Sequence, residues 1–211
     1  MSFVERITQD QESVSEILRP YPKIAGPLSE LTEHILRGSD SGFSVAEREL
    51  IGAFVSGVNA CTFCCETHQA AAEAMGVPPG LLDALLLNID GAPVDSRLKP
   101  VLRFVRKLTL TPTRMVQADA DAVFAAGWSE RDFHYAIMIC GLFNFYNRML
   151  EGYGAKNTAD FRLTAGRDLA QTGYLHVAEL AGKYKGDNKK GTNKKGTGQI
   201  TIKGTGQIKL T

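Results

Sequence analysis

Between Ile24 and Glu151 the chain is a succession of segments whose apolar residues recur every three to four positions, most opened by a capping residue or closed by glycine or proline. That pattern fits helices and excludes most alternatives. Strands would need strict alternation over four to eight residues, and no such run precedes residue 198. The expected fold class is therefore all-α, an antiparallel helical bundle. The spacing predicts a short helix ending at Pro20, then a helix over 24–37 with Ile24, Leu28, Leu31, Ile35 and Leu36 on one stripe, then a loop at 38–42. Ser44, with Glu47 three residues later, forms a capping box for a helix reaching Gly57. Asn59 is expected to cap the next helix, which ends near Gly76, ahead of Pro78 and Pro79. Further helices are expected over 79–88, 96–109, 115–126, 129–151 and 160–183.

Residues 1–183 read as one domain, large enough to bury a single core. Residues 184–211 differ in kind. They repeat NKKGT at 188–192 and 193–197 and KGTGQI at 195–200 and 203–208. This low-complexity, Lys-rich tail carries almost no apolar side chains. Disorder is the expectation, with a short hairpin as the rival and no catalytic role in either case. The segment from Lys183 onward has many lysines and a single acid, Asp187, so the near-neutral total hides a net-acidic body. An acidic body argues against a nucleic-acid enzyme. No apolar run approaches membrane-spanning length, and residues 1–15 lack the apolar stretch of a signal peptide. The expected location is cytoplasmic, where paired cysteines are more often catalytic or metal-binding than structural.

Three of the four cysteines fall in the string Asn59-Ala-Cys61-Thr-Phe-Cys64-Cys65-Glu-Thr-His68, while Cys140 stands alone. At about 100° per residue, Cys61, Cys64, Cys65 and His68 share one helical face. Cys61 and Cys64 lie close enough for a disulfide, and His68 sits one turn beyond Cys64. With Asn59 as cap, Cys61 falls in the first turn, where unpaired backbone N–H groups and the helix dipole favour a thiolate. Such a design suits one thiol that attacks an electrophile and a second that resolves the adduct. Two plainer readings stand beside it. Cysteine and histidine are common core residues. Three sulfurs and an imidazole are also possible zinc ligands, although four ligands on one helix cannot easily surround a tetrahedral ion. Cys65 reads as a core filler. Glu49, on the preceding helix, would by itself read as a solvated residue or a surface ion pair with Arg48 or Arg131.

The pattern Glu49-x11-Cys61-x2-Cys64-x3-His68 resembles the AhpD-like alkylhydroperoxidases of the carboxymuconolactone decarboxylase superfamily. The surrounding words SVAERELIGAFVSGVNACTFCCETH at 44–68, LRFVRKLTLTP at 102–112 and AGWSERDFHYAIMICGLFNFYNRMLEGYG at 126–154 are similar to its peroxidase-related branch. The resemblance covers about residues 20–155. It implies reduction of hydrogen peroxide or an alkyl hydroperoxide by a thiol reductant or redox partner protein, without haem, flavin or metal, in a homo-oligomer (trimer or hexamer). It further implies Cys64 as the attacking thiolate, Cys61 as resolving thiol and proton donor in a Cys61–Cys64 disulfide, His68 as base and Glu49 as the carboxylate orienting His68. The helix-cap argument instead favours Cys61 as the more acidic thiol. The chain departs from the family's best-studied branch in carrying Phe63 where that branch has a histidine between the cysteines. The alternatives are a lactone-processing decarboxylase of the same superfamily, whose members lack the Cys-x-x-Cys pair, and a non-enzymatic thiol redox sensor.

The helix expected over 129–151 echoes the site region at an offset of 83, which places Asn144 and Asn147 where the first copy has Cys61 and Cys64. A two-fold internal repeat is expected on that basis, with Asn147 and Arg148 in a structural role. Phe63, Phe143, Phe145 and Tyr146 are candidates for an apolar pocket. His134 and His176 read as structural or exposed, and Trp128 as a packing anchor.

Overall fold

A computed structural model describes residues 2–4 and 13–176. Among these it forms helices α1 (Val14–Leu18), α2 (Pro22–Arg37), α3 (Val45–Val58), α4 (Thr62–Ala74), α5 (Leu81–Leu87), α6 (Leu98–Leu110), α7 (Gln117–Ala125), α8 (Glu130–Tyr153) and α9 (Ala159–Thr172), with no strand. The expected tail at 184–211 and the last residues of the helix expected over 160–183 lie outside the described residues. No described helix is long and apolar enough to cross a membrane.

The fold is arranged around α3. Every residue from Arg48 to Ser56 is buried, because α4, α5, α6 and α8 pack around it. A helix enclosed on all sides is normally apolar all round, and Leu50, Ile51, Ala53, Phe54 and Val55 follow that rule. Arg48 and Glu49 do not, so each must find partners in the interior. Arg48 donates from Nη1 to the carbonyls of Ile35 (3.1 Å) and Gly38 (2.8 Å), which satisfies the C-terminus of α2. The capping boxes at Ser44/Glu47 and Ser129/Asp132 start α3 and α8, the two long core helices. Trp128 is the expected anchor. Its ring lies 4.3 Å from that of Phe43, and its Nε1 donates to the Arg97 carbonyl.

Three sequence expectations need correction. The buried face of α2 is Ala25, Ser29, Thr32, Ile35 and Leu36, whereas Ile24 and Leu31 of the expected stripe are exposed. The helix is rotated because its inner side meets a cavity and a tyrosine hydroxyl, and these call for small and polar groups. Secondly, α9 stops at Thr172. Gly173 adopts φ +68°, a conformation that favours glycine, and turns the chain back so that the Tyr174 N–H donates to Glu33 Oε2 on α2 at 2.7 Å. The third correction concerns Asn59. It closes α3 instead of opening α4. Ala60 N–H bonds Gly57 O and Cys61 N–H bonds Ser56 O, the paired closure of a Schellman motif, with Ala60 in the left-handed conformation (φ +56°). Alanine there costs about 1 kcal/mol relative to an unstrained backbone.

Gly166 lets α9 approach α4 backbone to backbone. A Cβ on it would stand 2.2 Å from the Thr67 carbonyl oxygen and 2.7 Å from Ala70 Cβ. Neither neighbour can move without shifting a helix. Gly166→Ala is therefore expected to cost about 2 kcal/mol by overpacking, despite gaining about 1 kcal/mol in helix propensity. Denaturant unfolding measures this, and a neutral or stabilised variant would show that the two helices do not meet this closely.

Candidate active site

The Ala60 turn sets where the thiols stand. Because the chain leaves α3 at Asn59 and restarts at Thr62, Cys61 occupies the N-cap of α4 and not its first turn. An N-cap side chain points back at the third helical residue, here Cys64. The two sulfurs share a hydrogen bond, and all four cysteines are reduced. That bond to Cys64 draws the Cys61 thiol below its ordinary value, against the effect of burial. The same contact, followed by burial, pushes Cys64 up. Of the two thiols, Cys61 is therefore the one that loses its proton more readily. Asn147 supplies a hydrogen bond that favours the charged form of Cys64. Its amide is held by donating to Ser56 Oγ (3.0 Å) and accepting from Asn59 Nδ2 (2.8 Å). Asn144 also accepts from Asn59 and in turn from Arg148, so these α8 residues tie down the turn before the cysteines.

His68 lies one turn beyond Cys64, and Glu49 Oε2 meets its Nδ1 at 2.7 Å. Glu49 is not a surface residue paired with Arg48 or Arg131. It is fully buried, and its partners come from three other elements. Arg37 Nη1 on α2 donates to Oε1 at 2.5 Å, and the Tyr174 hydroxyl donates to the same oxygen at 2.6 Å. Burial alone would raise the Glu49 carboxyl. His68, Arg37 and Tyr174 overcome that and hold it below the usual carboxylate value, so it is ionised at neutral pH. Arg37 is fixed in turn by the Leu169 carbonyl (3.1 Å) and lies over the Tyr174 ring, 5.0 Å from its centre. The imidazole packs edge-on to Phe143 at 4.6 Å and nearly parallel to the Tyr174 ring at 6.2 Å. A carboxylate on Nδ1 leaves Nε2 as the position for exchanging a proton with a substrate.

Beside these groups lies a cavity of about 400 Å3. Cys64 and His68 line it with Phe63, Phe143, Tyr146 and Phe161. Cys61 does not line it and borders a separate depression with Cys65 and Glu66. Of the aromatic candidates, Phe63, Phe143 and Tyr146 face the cavity, and Phe145 points to solvent, 48 % exposed, because it falls on the outer side of α8. Cys65 is half-buried, with its thiol pushed up to about 11, chiefly by burial, which fits a filler. His134 is exposed, whereas His176 lines the cavity. Among the described residues, no three His, Cys, Asp or Glu side chains gather as a metal site.

Sequence reasoning identified Cys61, Cys64, His68 and Glu49, and the fold brings all four into one cluster. It missed Arg37 and Tyr174. Gly173 was the available sign that α9 ends before Tyr174. No local pattern marks Arg37.

Neither protein-family models nor curated proteins give a match to this chain. Solved structures do. The chain is similar to an uncharacterized peroxidase-related protein from Silicibacter sp., at 28% identity and TM-score 0.59 over 64% of this chain and 71% of that one. It is also similar to an uncharacterized peroxidase-related protein from Ralstonia eutropha described as an alkylhydroperoxidase AhpD core, at 24% identity and TM-score 0.64 over 71% of this chain and 78% of that one. A protein of unknown function from Agrobacterium tumefaciens, suggested to be the antioxidant-defence protein AhpD, shares the fold at 18% identity and TM-score 0.56, over 67% of this chain and 94% of that one.

Proposed function

We propose, from the premise that the chain belongs to the AhpD-like, peroxidase-related proteins, that it is a thiol-dependent peroxidase acting through Cys64 and Cys61. The observation that carries this reading is the position of Cys64. It alone of the four cysteines lines the cavity next to His68, while its sulfur touches that of Cys61.

Cys61 gives up its proton more readily than Cys64, so the attacking thiol needs a base. As Cys64 attacks the terminal peroxide oxygen, its proton passes to His68 Nε2, so the more accessible thiol is activated by the imidazole while the more acidic Cys61 is held for the second step. The O–O bond breaks, Cys64 becomes a sulfenic acid, and the departing alkoxide takes a proton from His68 Nε2 to leave as an alcohol, or as water from hydrogen peroxide. Cys61 then attacks the Cys64 sulfur, the sulfenic oxygen leaves as water, and the Cys61–Cys64 disulfide forms. Two equivalents of an external thiol, or one dithiol partner protein, reduce it back to two thiols and are themselves oxidised to a disulfide. Glu49 keeps Nδ1 engaged so that protons move only at Nε2. With Phe63 between the cysteines, the relay consists of Cys61 and His68 alone. No step calls for a metal or organic cofactor. We read the protein as cytoplasmic and as a homo-oligomer, with the exposed Ile24 and Leu31 of α2 as contact residues.

Tyr174 and Arg37 act as positioning residues through Glu49. Tyr174→Phe removes one charge-assisted hydrogen bond from a buried carboxylate, which allows Glu49 to protonate at higher pH. The acid limb of the kcat/KM profile is expected to move up by about one pH unit, taking about 1.5 kcal/mol for such a bond. A pH profile identical to wild type would show that Tyr174 only fills space. The central test of the proposal is steady-state hydroperoxide consumption with a dithiol donor. Absence of turnover with any thiol donor would leave the redox-sensor alternative.

A further inference from the structure

Two buried hydroxyls in the cavity have no work to do in the chemistry above. Ser29 Oγ on α2 and Thr67 Oγ1 on α4 have no hydrogen-bond partner among the described residues, and the residues are only 2 % and 3 % exposed. Both line the same cavity as Cys64 and His68. An unpartnered buried hydroxyl is costly, and it is normally found only where something else completes it. The helix offers Ser29 an easier position, since Thr32, one turn on, bonds both the Leu28 carbonyl and the Tyr146 hydroxyl. The rest of the wall is largely apolar and aromatic. It carries the acids Glu16 and Asp168 and, among the described residues, no Lys or Arg. At roughly 30 Å3 per water-sized group, a cavity of about 400 Å3 holds a molecule of about a dozen non-hydrogen atoms.

We propose that the cavity selects an uncharged organic hydroperoxide of about that size, an apolar skeleton bearing a second oxygen function, hydroxyl or carbonyl, that hydrogen-bonds to Ser29 and Thr67. This rests on the peroxidase reading for the reacting group, and on the hydroxyls and wall charges for everything else. A carboxylate-bearing substrate is disfavoured, because its charge would enter a low-dielectric space whose wall carries Asp168, and Glu16 paired with Arg19, but, among the described residues, no lysine or arginine, and whose imidazole beside the thiol, His68, is already bound to Glu49. Hydrogen peroxide would leave both hydroxyls and the apolar wall without a ligand.

The test separates binding from turnover by using unreactive probes. Calorimetric titration of the reduced full chain compares 1,8-octanediol, 1-octanol and octanoate. The diol is expected to bind about 2–10-fold more tightly than octanol, the range for one net hydrogen bond, and octanoate more weakly than either. In Ser29→Ala/Thr67→Val the diol and octanol should bind within about twofold of each other, since the variant offers neither hydroxyl. Equal binding of diol and octanol by the wild type, octanoate binding as tightly as the diol, or a preference that survives the double substitution each overturns the proposal. The wild-type comparison needs no variant to fold. If these preferences hold while no hydroperoxide is consumed, the peroxidase reading fails and the ligand class stands. If hydroperoxides turn over but the preferences are absent, only the ligand class fails.

Discussion

Cys64→Ser is expected to lower kcat/KM for any hydroperoxide by about a thousandfold or more, the scale set by removing a nucleophile whose neighbours remain in place. Serine keeps the size of the side chain and its hydrogen bond with Cys61, so stability should barely change. The same substitution separates the classes of function. A lactone-processing decarboxylase would keep its activity, because that chemistry does not use the sulfur. Cys61→Ser should behave differently. Cys64 can still be oxidised once but has no partner, so one equivalent of peroxide leaves a sulfenic acid that a thiol-specific trap labels. Wild type treated in the same way should lose the mass of H2 and yield a single Cys61–Cys64 crosslink in peptide mass spectrometry. A crosslink through Cys65 or Cys140, or unimpaired turnover in Cys64→Ser, would remove the basis of the mechanism.

The second large effect is on stability. Glu49 is fully buried and neutralises Arg37, whose side chain is only 13 % exposed. Glu49→Ala leaves that guanidinium in the interior without its counter-ion and deprives Tyr174 and His68 of their acceptor. Because Arg37 keeps some solvent contact and its bond to Leu169, the low end of the range for breaking a buried pair applies, about 3 kcal/mol. For a chain of this length that is a fall of about 6–12 °C in melting temperature. The effect should depend on pH in a definite direction. The folded Glu49 carboxyl titrates below its unfolded value, which is about 4.3. Its contribution is therefore complete above that value and is lost as pH falls through the lower folded one. The gap between wild type and Glu49→Gln should be widest near neutrality and close toward strongly acid pH. A gap that widens on acidification would mean that the carboxyl is held neutral in the fold, contrary to the arrangement of Arg37 and Tyr174 around it.

Much of the architecture was legible before any coordinates. The capping box at Ser44, glycines at chain turns and the three-to-four-residue apolar spacing are local signals, and local signals mark helices because their hydrogen bonds close within four residues. The grouping of the four candidate residues was also readable, since Cys61, Cys64 and His68 lie within eight residues and Glu49 within one helix of them. The errors share a cause. Asn59 is equally good at closing one helix or opening the next, and only the left-handed Ala60 turn, closed by the Ala60 and Cys61 N–H bonds to Gly57 and Ser56, decides between them. Ile24 and Leu31 carry the apolar spacing of a buried stripe, but α2 turns Ser29 and Thr32 inward because of what lies opposite.

The sequence by itself determined that this chain is helical, where most helices begin and end, and that two thiols, an imidazole and a carboxylate would be neighbours. Only the tertiary structure decided the state of those groups. Arg37 is twelve residues from Glu49, and Tyr174 is 125 residues away. No periodicity records a contact across that separation, yet these two side chains keep the carboxylate charged and the imidazole oriented. The access that distinguishes Cys64 from Cys61, and the hydroxyls of Ser29 and Thr67 beside it, likewise exist only where α2, α4, α8 and α9 meet, because a cavity belongs to the packing of several elements and to none of them alone.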